Sequence, residues 1–173
     1  MVNVAWILLE KFTMILFFLD DGLVGKTIND CKVIGKIEDM NDLYPQYKNI
    51  FIAIGNDKVR NNLVKNTQKI GFNVASLIST KSHISKYANF GIGCVVFPNV
   101  VIEANASIED GCVICANSVI NHDATIKDYC LINSSSIVRP TVLLNRFSHI
   151  GCSCLIGKEI EKSSLIEDGK VVI

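Results

Sequence analysis

The chain has 173 residues, of which 49% are hydrophobic, and its 17 basic side chains balance its 17 acidic ones. A chain of this length favours one or two small domains with a sizeable core. Because it contains no basic tract and no basic amphipathic helix, binding to a nucleic-acid backbone or to a membrane surface is not expected.

The segment MVNVAWILLEKFTMILFFLDD is the one stretch that invites comparison with a membrane anchor. Glu10 and Lys11 interrupt it, and its longest apolar run, Met14 to Leu19, has six residues, whereas a spanning helix needs about twenty. The segment also lacks the basic start and the small-residue cleavage site of a signal peptide. The seven cysteines are an odd number and favour reduced thiols, so a cytoplasmic location is predicted.

Residues 1–80 alternate helix-like and strand-like stretches. Val4 to Phe12 has the helical spacing of apolar residues, whereas the continuous apolar run Met14 to Leu19 is typical of a strand buried on both faces of a parallel sheet. Asn49 to Ile54 is a second strand of this kind, and Asn73 to Ile78 is a third.

A helix is predicted between the second and third of these strands. Asn56 or Asp57 caps its start, and Gly71 ends it. A buried stripe is expected along it from Val59, Leu63 and Ile70. Strand, helix and strand of these lengths predict parallel pairing through right-handed crossovers. Residues 1–80 are therefore predicted to form a partial Rossmann-like α/β domain.

Polar residues follow two of the predicted strands, at the edge where parallel α/β sheets bind ligands. Asp20 and Asp21 follow one strand, and Gly55 and Asn56 follow another. These four residues are candidates for ligand binding, with the alternative that they serve only as turn and cap residues. No GxGxxG sequence occurs in the chain, so the glycine loop that cradles phosphate in nucleotide-binding sheets is missing.

The second half is a strict repeat of six residues, running from Ser82 to Glu159 as thirteen hexads without insertion. The first position holds only Ser, Ala, Cys or Val, and the third position is always a large apolar residue. The sixth position holds Gly93, Asn99, Asn105, Gly111 and Asn117 in succession. Since Gly and Asn tolerate the left-handed backbone of tight corners, the repeat predicts a β-solenoid with three short strands, or eighteen residues, per coil.

An eighteen-residue coil stacks Cys94, Cys112 and Cys130 in one column of small residues. We interpret these cysteines as packing residues and not as metal ligands, because free cysteine behaves as a small buried hydrophobe. His122 differs from its column neighbours Ala104 and Pro140, so it is expected to project at a corner, either as a surface residue or as a catalytic one. The other two histidines, His83 and His149, are expected to be solvated.

Nearly the whole chain resembles the bacterial sugar acyltransferases with hexapeptide repeats that include sialic-acid O-acetyltransferases and the N-acetyltransferase of bacillosamine synthesis. The resemblance lies in FLDDGLVGKTIND, FIAIGNDKVRNNLV, GFNVASLIS, FGIGCVVFPNVVIEANASIEDGCVI and SVINHDATI. It implies a truncated nucleotide-sugar-binding-like domain over residues 1–80 and a left-handed parallel β-helix acyltransferase domain over residues 81–173. It also implies a homotrimer that serves cell-surface glycan biosynthesis.

The resemblance implies transfer of acetyl from acetyl-CoA, with no metal, to an amine or hydroxyl of a sugar or nucleotide-linked sugar. His122 takes the place of the family's general base and Asp123 that of the carboxylate beside it. The candidate ligand residues Asp20, Asp21, Gly55 and Asn56 are then expected to bind the acceptor.

Several features of this sequence depart from the family pattern. Leu131 stands where many members have a second histidine, and Arg139-Pro140 stands where an alanine-glycine pair near coenzyme A is usual. By comparison with the family, the opening strand with its glycine loop and the closing coil are expected to be absent, which predicts a copy that is short at both ends. A catalytically inactive trimeric scaffold or truncated remnant is therefore the alternative, and a general nucleotide-sugar binding module is a weaker third.

Overall fold

The computed structural model describes residues 4–8 and 15–173, and its contacts divide the chain into two units, Met1–Ala75 and Ser76–Ile173. The predicted combination of an α/β region with a left-handed parallel β-helix is confirmed. Within the described residues, no helix is long and apolar enough to cross a membrane.

The first unit contains a mixed sheet whose six described strands lie in the order β3-β4-β2-β1-β5-β6. The pairs β2–β4 and β5–β6 are parallel, and the second of these is the strand pair that the sequence predicts around a helix. The strands are β1 (Val4–Leu8), β2 (Ile15–Leu19), β3 (Thr27–Ile28), β4 (Cys31–Gly35), β5 (Asn49–Ala53) and β6 (Asn73–Val74). The helices are a 3-10 turn (Ile37–Asp39), α1 (Met40–Leu43) and α2 (Asp57–Ile70).

The predicted helix from Val4 to Phe12 is wrong over its described part, which is strand β1. This strand lies between β2 and β5 and is antiparallel to both, so the sheet is not purely parallel. The rest of the predicted helix lies outside the described residues. A short apolar run fits a helix and a strand about equally well by spacing alone, and pairing with two neighbouring strands decides its conformation.

Helix α2 begins and ends where the sequence predicts. The side chain of Asn56 accepts a hydrogen bond from the backbone N–H of Val59, at 3.0 Å, and Gly71 ends the helix at a φ of 114°. The predicted buried stripe is wrong, because the side chain of Val59 is 45% exposed. The buried residues of this helix are Arg60, Val64 and Thr67.

The second unit is the β-helix, in which two-residue strands stack into three sheets that we call faces 1, 2 and 3. Face 1 contains β7 (Leu77–Ile78), β10 (Val95–Val96), β13 (Val113–Ile114), β16 (Leu131–Ile132), β19 (His149–Ile150) and β21 (Leu165–Ile166). Face 2 contains β8 (His83–Ile84), β11 (Val101–Ile102), β14 (Val119–Ile120), β17 (Ile137–Val138), β20 (Leu155–Ile156) and β22 (Val171–Val172). Face 3 contains β9 (Asn89–Phe90), β12 (Ser107–Ile108), β15 (Thr125–Ile126) and β18 (Leu143–Leu144).

The predicted coil length is confirmed by the strand register. Ile102 pairs with Ile120, and Ile120 pairs with Val138, both in parallel, and all three side chains are buried in one interior column. The solenoid begins earlier than the hexad count indicates, because β7 pairs with β10. The predicted strand from Asn73 to Ile78 is thus divided between the two units, with β6 in the first and β7 in the second.

The corners of the coils use the left-handed backbone conformation that the sequence predicts. Gly93, Asn99, Asn105, Gly111 and Asn117 have φ angles from 60° to 66°. Later coils place other residue types at the same corners, including Tyr129 at 57° and Phe147 at 62°. The two rings stack at a centroid distance of 5.7 Å, and a Cβ on Gly111 would overlap the ring of Tyr129, so glycine is required beneath it.

The column of small residues provides hydrogen-bond donors as well as packing. The buried thiols of Cys94, Cys112 and Cys130 each donate to a carbonyl oxygen fifteen residues later, at 3.1 to 3.2 Å. The hydroxyls of Ser118 and Ser136 make the same contact, at 3.0 and 2.7 Å. Burial raises the pKa of Cys130 to about 12, so its thiol remains a neutral donor at physiological pH.

We expect Cys112→Ser to change the free energy of unfolding by less than about 1 kcal/mol, because the hydroxyl keeps the bond to the Lys127 carbonyl. Cys112→Leu should lower it by about 1 to 3 kcal/mol, because leucine adds two carbons at a fully buried position of the cysteine column. Urea unfolding followed by circular dichroism measures both changes. Equal stability of the two variants would contradict this account of the column.

Candidate active site

His122 lies at the corner that joins β14 on face 2 to β15 on face 3. Its side chain is 53% exposed, and that of Asp123 beside it is 47% exposed. The interior positions on either side, Ile120 and Ala124, are fully buried. The imidazole therefore projects from a strand end into solvent, as the difference between His122 and the other residues of its column predicts.

The imidazole and the neighbouring carboxylate form a close hydrogen bond. Nδ1 of His122 lies 2.7 Å from Oδ2 of Asp123. The hydrogen bond from His122, followed by one from Asn105, holds the pKa of Asp123 below its usual range, so this side chain is an anion at neutral pH. Since a carboxylate only accepts hydrogen bonds, the proton lies on Nδ1, and a neutral ring carries its lone pair on Nε2.

The preceding coil supports this pair through two further contacts. Asn105 donates from Nδ2 to Oδ1 of Asp123 at 3.1 Å, and Oε2 of Glu103 accepts from the backbone N–H of His122 at 2.8 Å. Sequence reasoning gave neither residue a role in this site. Asn105 could have been found, because it lies eighteen residues before Asp123 and so one coil beneath it, whereas nothing in the repeat indicates Glu103.

The departures from the family pattern lie at different places on the β-helix. Pro140 is one coil after His122 at the same corner, and the exposed side chain of Arg139 passes over Gly157 of the coil after that. Leu131 lies on face 1, where it pairs with His149. His83 is exposed, whereas His149 is half-buried.

In the first unit, the four candidate acceptor residues follow two strands that point the same way. Because β1 is antiparallel to both β2 and β5, Asp20, Asp21, Gly55 and Asn56 lie at the same edge of the sheet. Three of the four side chains also accept hydrogen bonds from the backbone there. Buried Asp20 accepts from the N–H of Gly22 at 2.8 Å, Asp21 accepts from that of Ile37 at 3.0 Å, and Asn56 caps α2.

A buried arginine, which sequence reasoning missed, holds the end of β5. Nη1 of Arg60 donates to the carbonyl oxygens of Ile54, at 2.6 Å, and of Gly55, at 3.1 Å. A cleft of about 820 Å³ borders Asp21 but none of the other three candidates. Its polar lining consists of Asp21, Lys36, Glu38, Asn41, Asn66 and Lys69.

The cysteines do not form a metal site in the part of the chain that the structure describes, where no group of three or more potential ligands converges. Cys112 and Cys115 have the CxxC spacing, but Cys112 is buried in the column of small residues and Cys115 is partly exposed. Burial of its thiol, followed by the charge of Cys152, raises the pKa of Cys115. All seven cysteines lie in the described part of the chain, and none of them forms a disulfide there.

Two family models match the chain. Residues 78–172 match the GMPPB C-terminal domain, and residues 3–67 match the PglD N-terminal domain. The first match spans more than half of the chain, so the protein belongs to that family, and the resemblance to sugar acyltransferases with hexapeptide repeats is confirmed. No match was found among curated protein sequences.

Several solved structures share the fold. Perosamine N-acetyltransferase from Caulobacter crescentus, a mutant in complex with CoA and GDP-perosamine, is 17% identical, with a TM-score of 0.75 over 86% of this chain and 80% of its own. The acetyltransferase domain of PglB from Neisseria gonorrhoeae, in complex with acetyl coenzyme A, is 24% identical, with a TM-score of 0.74 over 92% and 83%. WeeI from Acinetobacter baumannii is 24% identical, with a TM-score of 0.65 over 91% and 77%.

Proposed function

We propose that the protein is an acetyltransferase that moves acetyl from acetyl-CoA to an amine or hydroxyl of a sugar or nucleotide-linked sugar. The observation that carries this proposal is the His122–Asp123 pair on an exposed corner of the β-helix. Two similar folds support it: the PglB domain was solved with acetyl coenzyme A, and perosamine N-acetyltransferase with CoA and GDP-perosamine. Seven cysteines without a disulfide among them fit a cytoplasmic setting.

In the proposed reaction, His122 is the general base. Its Nε2 takes a proton from the acceptor nitrogen or oxygen while that atom attacks the carbonyl carbon of the thioester. The carbon–sulfur bond then breaks, and the proton passes to the leaving sulfur, so that acetylated acceptor and free coenzyme A are formed. Base catalysis of this kind is worth about a hundred- to ten-thousand-fold in rate.

Asp123 has the supporting role in this scheme. Its carboxylate holds the ring with the proton on Nδ1, so that the lone pair of Nε2 faces away from it. As the ring gains a second proton, the negative charge 2.7 Å away stabilises the imidazolium. Both side chains are about half exposed, so solvent weakens this attraction.

We assign acceptor binding to the sheet edge formed by Asp20, Asp21, Gly55 and Asn56. This assignment is supported by the common direction of β2 and β5 and by the general preference of α/β sheets for ligands at such an edge. Of the two carboxylates, only Asp21 is exposed, and it also borders the cleft. Asp21 is therefore the residue best placed to accept hydrogen bonds from hydroxyl groups of the acceptor.

Thiol release and calorimetry test the function directly. We expect the wild-type protein to bind acetyl-CoA and to release thiol with at least one member of a panel of amino sugars, tested free and nucleotide-linked. A catalytically inactive scaffold is the second candidate, favoured by Leu131 and by Pro140, which cannot donate a backbone hydrogen bond at the His122 corner. Failure to bind acetyl-CoA would favour the scaffold.

We also propose a homotrimer and expect sedimentation to give three times the mass of the chain at micromolar concentrations. The outer positions of face 2, next to the His122 corner, form an apolar stripe of Val101, Val119, Ile137, Leu155 and Val171. Packing this stripe against a second copy would bring that copy beside His122. Such a stripe in contact with water is unusual for a monomer.

Charged variants on two faces test the trimer. We expect Ile137→Glu on face 2 to shift the protein towards monomers, because the interface would bury an unpaired charge. Asn89→Glu on face 3 is the matched control and should remain trimeric, because the outer residues on the next two coils, Ser107 and Thr125, are polar. A wild-type protein that sediments only as a monomer would refute the trimer and, with it, the placing of a second copy beside His122.

A further inference from the structure

The His122–Asp123 pair ends a hydrogen-bonded chain that begins on the preceding coil. We propose that Asn105 is a positioning residue of the active site, which holds the Asp123 carboxylate in the orientation that accepts the proton of His122. This inference rests on the proposed function but concerns a residue outside the base and its carboxylate. Asn105 does not itself reach the imidazole, and it acts only through Asp123.

The need for such a residue follows from the exposure of the carboxylate. Asp123 stands at a corner, where its φ is 61°. Its side chain is 47% exposed, so burial does not hold it in one orientation. The amide of Asn105 binds Oδ1 at 3.1 Å, while Oδ2 binds the imidazole at 2.7 Å. With both oxygens engaged, the rotation of the carboxylate is restricted. In the hydrogen bond between the two side chains, the Asn105 amide is the donor, because a carboxylate oxygen can only accept.

Glu103 supplies a second restraint from the same coil. Its carboxylate accepts from the backbone N–H of His122 at 2.8 Å, and it therefore fixes the main chain from which the imidazole projects. One corner of the preceding coil thus holds the His122 main chain through Glu103 and the Asp123 side chain through Asn105. Glu103 acts on the backbone, so its loss would also alter the corner, and Asn105 is the cleaner subject for an experiment.

The β-helix contains a matched control for Asn105. At another corner, Asn99 donates from Nδ2 to Oδ1 of Asn117, its neighbour eighteen residues later, at 3.2 Å. Asn99 and Asn105 have φ angles of 61° and 60°, and both bonds are exposed. The two asparagines therefore have the same structural role, and only Asn105 contacts a residue of the proposed active site.

The test compares Asn105→Gly with Asn99→Gly, since glycine keeps the left-handed backbone of both corners. We expect Asn105→Gly to lower kcat by about tenfold, a fraction of the hundredfold or more that a general base supplies. KM for acetyl-CoA should stay within about twofold. Asn99→Gly should leave kcat unchanged, while the two variants lose similar amounts of thermal stability. Equal kcat in both variants would overturn the inference and leave the proposed function intact.

A double-mutant cycle separates positioning from a direct effect. If Asn105 acts through Asp123, then adding Asn105→Gly to Asp123→Asn should lower kcat no further, because the group that Asn105 orients is already changed. Full additivity of the two substitutions would mean that Asn105 affects turnover by another route, and the inference would be wrong.

A titration that needs no turnover completes the test. The hydrogen bond from the Asn105 side chain contributes to the lowered pKa of Asp123. Asn105→Gly should therefore raise that pKa, which is measured by following the carboxyl carbon of Asp123 by NMR. If the wild-type protein releases no thiol with any acceptor, the proposed function fails, and the titration still decides the positioning role. An unchanged pKa of Asp123 would overturn it.

Discussion

The Ile120→Asp variant is expected to be unfolded or insoluble. Ile120 is fully buried in the interior column, with Ile102 and Val138 as its strand partners on the coils before and after. A carboxylate at this position has no partner for its charge, and the effective cost of burying such a group is several kcal/mol. The loss of the isoleucine packing adds about 2 to 5 kcal/mol. Together these costs approach the whole stability of an ordinary domain, about 5 to 15 kcal/mol.

The matched control for Ile120→Asp is Thr125→Asp, at a position on the outer side of face 3. This residue is partly exposed, so a charge there remains in contact with water, and the variant should be soluble with nearly the wild-type melting temperature. Circular dichroism and thermal melting of both variants measure the difference. A soluble Ile120→Asp protein with a normal melting transition would contradict the assignment of its column to the interior.

His122→Ala is expected to lower turnover by at least about a hundredfold, the low end for the loss of a general base. The affinity for coenzyme A should change little, because the base acts on the acceptor proton and not on the donor. Asp123→Asn should have a smaller effect, since it disturbs the orientation of the ring and keeps the base. Thiol release with the panel of amino sugars and calorimetry with coenzyme A give the two quantities.

The control for His122→Ala is His83→Ala. His83 is exposed in β8, where it pairs with Val101 at the end of the proposed interface, and it has no place in the proposed mechanism. A His83→Ala variant that sediments like the wild type should therefore keep wild-type turnover. Equal background rates of thiol release for wild type and His122→Ala with every acceptor would end the enzyme hypothesis. The scaffold would then be preferred, and His122 would be no more than an exposed corner residue.

The β-helix could be predicted from the sequence because the six-residue repeat determines which residues pair on successive coils. A hexad with a small first residue and a large apolar third residue leaves only one way to place Ile102, Ile120 and Val138 inside, and the strand pairs confirm it. The same period places the cysteine column in the interior. It does not indicate that these thiols donate to corner carbonyls, because a donor and a small packing residue look alike in the sequence.

The α/β unit was harder to predict because its elements are short and not periodic. The segment from Val4 to Leu8 has the spacing of a helix, yet it forms a strand, since two antiparallel neighbours satisfy its backbone hydrogen bonds. Helix α2 was placed correctly at both ends, because Asn56 and Gly71 are local signals. Its buried face was not, because packing on the sheet selects the residues that are covered.

The sequence singled out His122 because it breaks the pattern of its column, and the resemblance to the sugar acyltransferases implied that it is the base with Asp123 beside it. Only the tertiary structure decided the groups around them. Asn105 and Glu103 are eighteen and nineteen residues away from their partners, and they meet them because successive coils stack at the spacing of paired strands. A hydrogen bond also requires side chains in particular rotamers, which the repeat does not specify. The coil period can therefore bring residues to one corner, but the atoms that touch there depend on the folded backbone.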